Sequence, residues 1–442
     1  MRSFISIALG KAIILFGQVF KLGSGSTWPG YIALLIDPSL VNKIIDRSKT
    51  KIVVIAGTNG KTTTGKLISE ILKANKKRVL HNAAGANLEN GLASALVKGA
   101  TLSSFARPGL AKLNDDYLIF ESDEYALPKI IEQTSPDYII CLNLFRDQLD
   151  RYGEIDSIAK RWRSSFEKLS TKTTLILNAD DPQVSYLSKN IKAKVLYFGL
   201  EKENDNTKTK HGADSIYCPN CSIKLKFSTV FFSHLGIWEC PNCHLQRPKP
   251  DLSTLKSYPL PGTYNKYNSL AAVLIGKNEG VSTKDIEDAL KSFTPAFGRQ
   301  EQITYKGRIV QIFLSKNPTS FNESLQTIKE LGGKNLLILL NDRIPDGLDV
   351  SWIWDINLEE VLPEFESIVV SGDRAYDMGL RIKYATSSEF KISNLKFKIE
   401  PDLKKSLDYA LANLNSDQVL YVLPNYSAML DIRKILIGRK IL

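Results

Sequence analysis

Residues 51–72 read Lys51-Ile-Val-Val-Ile-Ala56, Gly57-Thr-Asn-Gly-Lys-Thr-Thr-Thr64 and Gly65-Lys-Leu-Ile-Ser-Glu-Ile-Leu72. The first block is an apolar run of strand length, the second a glycine turn, the third a helical pattern. A buried strand that delivers a glycine turn to a helix N-terminus makes an anion cradle. The backbone N–H groups of Gly57, Thr58, Asn59 and Gly60 can wrap phosphate oxygens, and the helix adds its positive end. Lys61 then reaches the β- and γ-phosphates and the Thr62 hydroxyl holds Mg²⁺, with Thr63 beside it. The loop is shorter than the G-x-x-x-x-G-K-[ST] form, because Ile55 stands where the first glycine would be. An ordinary strand–turn–helix with a chance Gly-Lys-Thr is the alternative, but strand, glycines, lysine, threonine and helix fall in order. ATP is the expected nucleotide.

A chain of 442 residues exceeds the size at which single cores stop growing, so two or three domains are expected. Its formal charge of +11 suits an anionic partner: a nucleotide, a nucleic acid, a pyrophosphate lipid or a membrane surface. A diffuse lysine excess is equally a solubilising surface. The N-terminus, Met1 to Phe16, imitates a signal peptide's apolar stretch, but Lys11 interrupts it and no small-residue cleavage site stands out. It reads as an amphipathic helix that packs on the protein or touches a membrane surface. No segment elsewhere is long and apolar enough to span a bilayer, and a cytoplasmic place, at most at the inner face of the membrane, is expected.

Beyond the phosphate loop the pattern keeps alternating. Strands are expected at 78–82, 117–120, 136–142, 173–177 and 194–198, and helices at 88–97 and 156–169. Such alternation predicts an α/β fold with a parallel sheet covered on both faces, its ligand at the C-terminal ends of the strands. The expected domains are a helical segment over 1–50, a central ATP-binding domain over 51–298 and a smaller C-terminal α/β domain over 299–442. The alternation breaks near Glu201, and a cysteine-rich insertion at about 205–256 interrupts the central domain. Within it, Cys218-Pro-Asn-Cys221 and Cys240-Pro-Asn-Cys243 have C-x₂-C-x₁₈-C-x₂-C spacing. Four thiolates so placed surround Zn²⁺ tetrahedrally and leave no open position, which points to a structural zinc ribbon rather than a disulfide or redox pair. Ribbons also bind nucleic acid, the rival reading from another class, although the positive charge lies mostly outside the knuckles.

Glu121, Asp123 and Glu124 follow the 117–120 strand, where Mg²⁺ on a triphosphate takes one or two carboxylates. A metal ligand or a water-positioning carboxylate is expected among them, against a solvated acidic turn. Asn143-Leu-Phe-Arg-Asp147 leaves the next strand toward the same edge. With Gly57-Thr-Asn-Gly-Lys-Thr-Thr63, Asn178-Ala-Asp-Asp-Pro182 and Tyr264-Asn-Lys-Tyr-Asn-Ser-Leu-Ala-Ala272, these motifs resemble the Mur ligase superfamily over about residues 30–440. Members have three domains and activate a carboxylate as an acyl phosphate with ATP before an amine displaces the phosphate. The resemblance puts Asn265 and Asn268 at the nucleotide base and Asp180 at the ribose; read alone, the two asparagines are helix-capping residues.

The chain departs from that pattern at two places. Gln148 stands where amino-acid-adding members carry a metal-binding histidine, and Leu314 to Glu323 replaces an Asp-Tyr-Ala-His-type motif. Lys160 lies near the position of the family's carbamylated lysine. The inserted ribbon resembles the MurT group, synthetase subunits of lipid II isoglutaminyl synthases that work with a GatD-type glutaminase. Asn341 to Asp355 resembles the signature whose aspartate, here Asp349 or Asp355, completes the partner's catalytic triad; read alone, those aspartates are caps and Trp352 and Trp354 are core or interface anchors. The resemblance implies ATP-dependent amidation of the D-isoglutamate α-carboxylate in lipid II, with ATP, Mg²⁺ and Zn²⁺ and no nucleic acid. A conventional Mur or folylpolyglutamate-type ligase is the alternative within the superfamily.

Overall fold

The computed structural model describes residues 2–19, 27–82, 88–102, 111–147, 155–201, 214–387, 395–415 and 417–438. The apolar run of the opening motif becomes β1 (Lys51–Ala56), buried from Ile52 onward. Next in the chain are β2 (Val79–His81), a short antiparallel pair β3 (Ala100–Leu102) and β4 (Ala111–Leu113), β5 (Tyr117–Glu121), β6 (Tyr138–Cys141), β7 (Thr174–Asn178) and β8 (Lys194–Phe198). Six of these form one parallel sheet in the order β2-β5-β1-β6-β7-β8. Parallel strands need both faces covered, which is why these segments are runs of Ile, Val, Leu and Phe rather than alternating patterns. Helices Lys61–Ala74 and Thr263–Asn278 cover one face through Ile68, Ile71, Leu270 and Ile275. On the other face, the helices Arg2–Val19, Trp28–Ile36 and Leu40–Ile45 join the core through Ile7, Ala33, Leu40 and Ile44. The N-terminal segment is therefore an outer layer of the central sheet, not a separate globule. No helix among the described residues is long and apolar enough to cross a membrane.

The chain crosses from β5 over β1 to β6, so the connections part around β1 and open a crevice at its C-terminal end. Ile55 lies level with Glu121 and Ala56 with Cys141, which brings the ends of three strands to one place.

The insertion contributes the antiparallel pair β9 (Lys226–Phe232) and β10 (Leu235–Glu239), with the cysteine knuckles at its open end. The C-terminal domain holds β11 (Arg299–Tyr305), β12 (Arg308–Phe313), β13 (Asn335–Leu339), β14 (Ser367–Ser371), β15 (Lys396–Ile399) and β16 (Val419–Pro424) in the order β11-β12-β16-β13-β14-β15. All pairings are parallel except β11 with β12. The four inner strands are the apolar segments of the sequence. The two edges, β11 and β15, are polar, because an edge strand buries too little surface to need an apolar run.

Candidate active site

Gly57 and Gly60 have φ of +136° and +94°, values open to glycine. A Cβ on Gly60 would lie 2.2 Å from the Asn268 side-chain oxygen, so the loop also needs glycine for close approach. Its shape is fixed from β6. The Asn59 N–H donates to Asn143 Oδ1 at 2.9 Å, the Asn143 amide donates to the Asn59 carbonyl at 3.1 Å, and the Thr58 hydroxyl and Phe145 backbone bond each other. Loop and Asn-x-x-x-Asp segment are one unit.

At the mouth of this loop Thr62 Oγ1 donates to Glu121 Oε2 at 2.6 Å, and His81 Nε2 lies 3.0 Å from Glu121 Oε1. Burial alone would raise the Glu121 pKa, but His81, the Thr62 hydroxyl and the Lys61 charge together hold it below the ordinary glutamate range. Lys61 donates to the Gly57 carbonyl and lies 3.5 Å from Glu124 Oε1. Glu124 Oε1 and Asp147 Oδ1 are buried with no hydrogen-bond partner. Hard, anionic oxygens gathered beside a phosphate cradle fit Mg²⁺, and Thr62, Glu121 and Glu124 are the residues placed to hold it. Asp123, the other expected ligand, is buried beside them and accepts from the Tyr125 N–H at 3.0 Å in the turn before the helix Leu127–Thr134.

The C-terminal domain closes the far side. Asn317 caps the helix Pro318–Glu330, and its amide lies 3.3 Å from the Asn59 side-chain oxygen. The neighbouring Lys316 makes an ion pair with Asp147 across the cleft. Burial pushes the Asp147 carboxyl up; Lys316 is held above its usual value by the Asp147 and Glu124 charges despite its own burial. Arg299, half-buried near Glu121, is lowered by desolvation. Gln300 follows it at φ +61° where the chain passes between domains, an uncommon conformation for a non-glycine residue. The resulting cleft is lined by Asn59, Gly60, Asn265, Asn268, Tyr264 and Arg299 among others.

Asn265 and Asn268 thus reach the cleft from one face of their helix. They do not cap it, since Gly262 is the N-cap. Asp180, the expected ribose contact, is not in the lining. It is fully buried, with Arg247 Nε at 2.6 Å, Tyr267 Oη at 2.6 Å and the Leu200 N–H at 2.8 Å on its carboxylate. The insertion brings Arg247 back onto the sheet and against this carboxylate. Lys160 is exposed on the helix Ile155–Phe166, and Gln148 lies outside the described residues. Asp349 caps the 3₁₀ turn Ser351–Asp355 by accepting from the Ser351 N–H and hydroxyl, whereas Asp355 lies 3.4 Å from Arg146 of the central domain. Sequence reasoning missed His81, Lys316 and Arg299. Lone polar residues carry no spacing signal, and only the folded chain brings these three to the phosphate loop.

The cysteine sulfurs lie within 4.8 Å of one another, with Cys218 to Cys243 at 3.6 Å and Cys221 to Cys240 at 3.4 Å. A tetrahedral site with Zn–S near 2.3 Å sets its sulfurs roughly 3.8 Å apart, so the cluster fits Zn²⁺ with small adjustments. The nearest sulfurs belong to different knuckles, as one shared ion requires.

Residues 55–276 match the Mur ligase middle domain and residues 314–429 the MurT ligase C-terminal domain. Among solved structures, a pseudomurein peptide ligase type C from Methanothermus fervidus superposes with a TM-score of 0.62 at 21% identity, covering 85% of this chain and 76% of that one. The MurF ligase from Thermotoga maritima in complex with ADP gives a TM-score of 0.59 at 15% identity, covering 90% and 81%. Fold and cleft define a ligase of the Mur type. The subunit MurT of lipid II isoglutaminyl synthase (glutamine-hydrolyzing) from Staphylococcus aureus strain COL is 32% identical over 379 residues, 82% of this chain and 83% of that protein. The MurT subunit from Streptococcus pneumoniae R6 is 30% identical over 445 residues, 95% of this chain and 94% of that protein. The chain belongs to the MurT family of Mur-type ligases.

Proposed function

We propose that this chain is the amidating subunit of a lipid II isoglutaminyl synthase, converting the α-carboxylate of D-isoglutamate in the stem peptide to an amide with ATP. The observation that carries this reading is the contact of the MurT-type domain with the nucleotide edge: Asn317 meets Asn59 of the phosphate loop and Lys316 pairs with Asp147 beside it. The segment brings a lysine where amino-acid-adding ligases carry an Asp-Tyr-Ala-His-type motif, and ammonia needs no pocket for an amino acid's own carboxylate.

Each residue has a separable task. Lys61 would exchange Gly57 and Glu124 for the β- and γ-phosphates, and Thr62, Glu121 and Glu124 would hold Mg²⁺, which would neutralise phosphate charge. A substrate carboxylate oxygen attacks the γ-phosphorus and the bond to ADP breaks, leaving an acyl phosphate. Ammonia then attacks the carbonyl carbon, phosphate leaves, and the nitrogen gives up one proton. Asn265 and Asn268 contact the base, and Cys218, Cys221, Cys240 and Cys243 hold one structural Zn²⁺.

The ammonia source in this reading is a GatD-type glutaminase. In the domain that carries Asp349 and Asp355, Ile344, Leu348, Trp354, Tyr376, Leu380 and Tyr384 are exposed, from 46% to 84% of each residue, and the Trp354 and Tyr384 rings meet. Exposed aromatic and apolar side chains on the domain with these aspartates suit a partner subunit that borrows one of them. Leu15, Phe16, Trp28 and Leu35 similarly face outward from the N-terminal helices, each more than half exposed, and suit contact with the membrane that carries lipid II.

Mass spectrometry of the muropeptide after incubation with ATP, Mg²⁺, lipid II, glutamine and the partner tests the reading. Replacement of OH by NH₂ lowers the mass by about one dalton, whereas addition of an amino acid raises it by a residue. A heavier product would overturn amidation in favour of a conventional ligase.

A further inference from the structure

We infer that the tip of the cysteine ribbon is a wall of the nucleotide-base cleft, so that Phe232 is a specificity-determining residue and metal occupancy at the four cysteines is felt at the nucleotide. This rests on the cleft between the domains being the nucleotide site.

The hairpin formed by β9 and β10 has two ends with different surroundings. At the open end, Cys218, Leu225, Trp238 and Cys240 make a small cluster of their own. At the closed end, Phe232 and Leu235 are buried in the core of the central domain, and His234 is fully buried. Seven residues of strand separate the ends, about 20 Å.

Phe232 lines the cleft together with Phe145 and Tyr267. Its ring centroid lies 5.9 Å from that of Phe145 and 5.6 Å from that of Tyr267. Phe145 is itself tied to the phosphate loop through Thr58, and Tyr267 stands on the helix that carries Asn265 and Asn268. A planar base entering beside those asparagines meets an aromatic wall in which one ring comes from the insertion.

The return path of the insertion fixes that wall. Trp238 Nε1 donates to the Ala179 carbonyl at 3.2 Å and the Gly236 N–H to the Asp180 carbonyl at 3.1 Å. Arg247 then donates to the Asp180 carboxylate, whose other oxygen accepts from the Tyr267 hydroxyl. Asp180 thus joins the ribbon to the base-binding helix, which explains why a residue expected at the ribose is buried behind it.

The tip is held by the core, but the knuckle end has only a small apolar cluster of its own, and ribbons of this kind depend on their metal for order there. Loss of the metal frees the two strands at the knuckles and loosens the wall at their other end. Coupling between two binding sites is reciprocal, so nucleotide must tighten metal retention by the factor by which metal tightens nucleotide.

The test uses the full chain, with ATP and inorganic tripolyphosphate as probes measured by calorimetry. Phe232→Ala is expected to weaken ATP about tenfold while leaving tripolyphosphate unchanged, since stacking is lost and the phosphate cradle is not. Phe232→Leu keeps the apolar volume and should lose most of the same factor, which separates stacking from folding. Zinc withdrawn by a chelator should weaken ATP by a similar factor, restored on adding Zn²⁺, and saturating ATP should slow zinc release to a colorimetric chelator. Unchanged ATP affinity in both Phe232 variants, or in a folded metal-free chain, would overturn the inference. If the unmodified protein bound no ATP at all, the nucleotide reading itself would fall instead.

Discussion

The polar edges of the two parallel sheets differ in what their charges do. At the end of β1, Lys61, Glu121, Glu124 and Asp147 make contacts that a nucleotide and its metal can replace, and two buried carboxylate oxygens have no hydrogen-bond partner. At the ends of β13, β14 and β16, Arg343 joins Asp373 and Asp431, Arg374 joins Asp342 and Asp377, and Asp346 accepts from the Ser427 N–H and hydroxyl. Sheet topology makes a crevice possible at both. A ligand can enter at the edge whose groups are not already satisfied by one another, and among the described residues that edge also has the glycine loop opening a long helix.

Replacing Lys61 by Ala should give the largest effect, a loss of turnover of at least about a thousandfold with glutamine or ammonium, because it removes the cation at the transferring phosphoryl group. The thermal midpoint should hold, since the side chain lies at a loop mouth. Turnover near the starting rate would break the comparison at its first edge. Next in size, Asp349→Asn or Asp355→Asn should lower glutamine-driven amidation at least about a hundredfold and leave ammonium-driven amidation intact, because a triad aspartate orients a histidine and takes no part in phosphoryl transfer. Equal loss with both nitrogen sources in both variants would remove the triad role. Asp355, already beside Arg146, and Asp349, capping its own turn, are distinguished by which variant shows the split.

The first edge was largely legible in the sequence and the second was not. Glycine, lysine and threonine at fixed spacing after an apolar strand carry their own geometry, so Gly57 to Thr63 could be read before any contact was known. The inner strands were legible for a similar reason: burial on both faces demands uninterrupted apolar runs. β11 reads Arg-Gln-Glu-Gln-Ile-Thr-Tyr and β15 Lys-Phe-Lys-Ile, patterns that a loop could equally have. Asp180 shows another limit. Its motif is Mur-like, yet its partner Arg247 is 67 residues away in the chain, across an insertion whose docking no local pattern encodes. Lys316 meets Asp147 over 169 residues, with the same consequence.

Two buried carboxylates sharpen the comparison through pH. Glu121 titrates below its ordinary range, so its contribution to stability is present above the unfolded glutamate pKa and is lost as pH falls through the lower folded value. Asp346 is raised, chiefly by burial against the weaker pull of Ser427, so its contribution has the opposite sense: present below the unfolded aspartate pKa and lost as pH rises through the folded value. Thermal midpoints measured across the acid range should therefore show the Glu121→Gln variant approaching the parent as pH falls. The Asp346→Asn variant should gain on the parent as pH rises. Parallel profiles for the two variants would mean that the edges are electrostatically alike.

The smallest expected effect concerns the second edge alone. Arg343 is about half exposed and its two ion pairs lie at the surface, where screening and side-chain entropy leave little net energy. Arg343→Ala should change stability by less than about 1 kcal/mol, because surface pairs of this kind contribute in that range. ATP affinity should not change, since Arg343 is absent from the residues around the cleft and its partners Asp373 and Asp431 sit on the C-terminal domain. Denaturant unfolding and ATP calorimetry on the same preparation measure both quantities. A fall in partner affinity with ATP affinity preserved would assign this edge to subunit contact and sharpen the contrast. A fall in ATP affinity would show that the two edges work as one site, with the satisfied network of the C-terminal domain serving the nucleotide through the junction at Gln300.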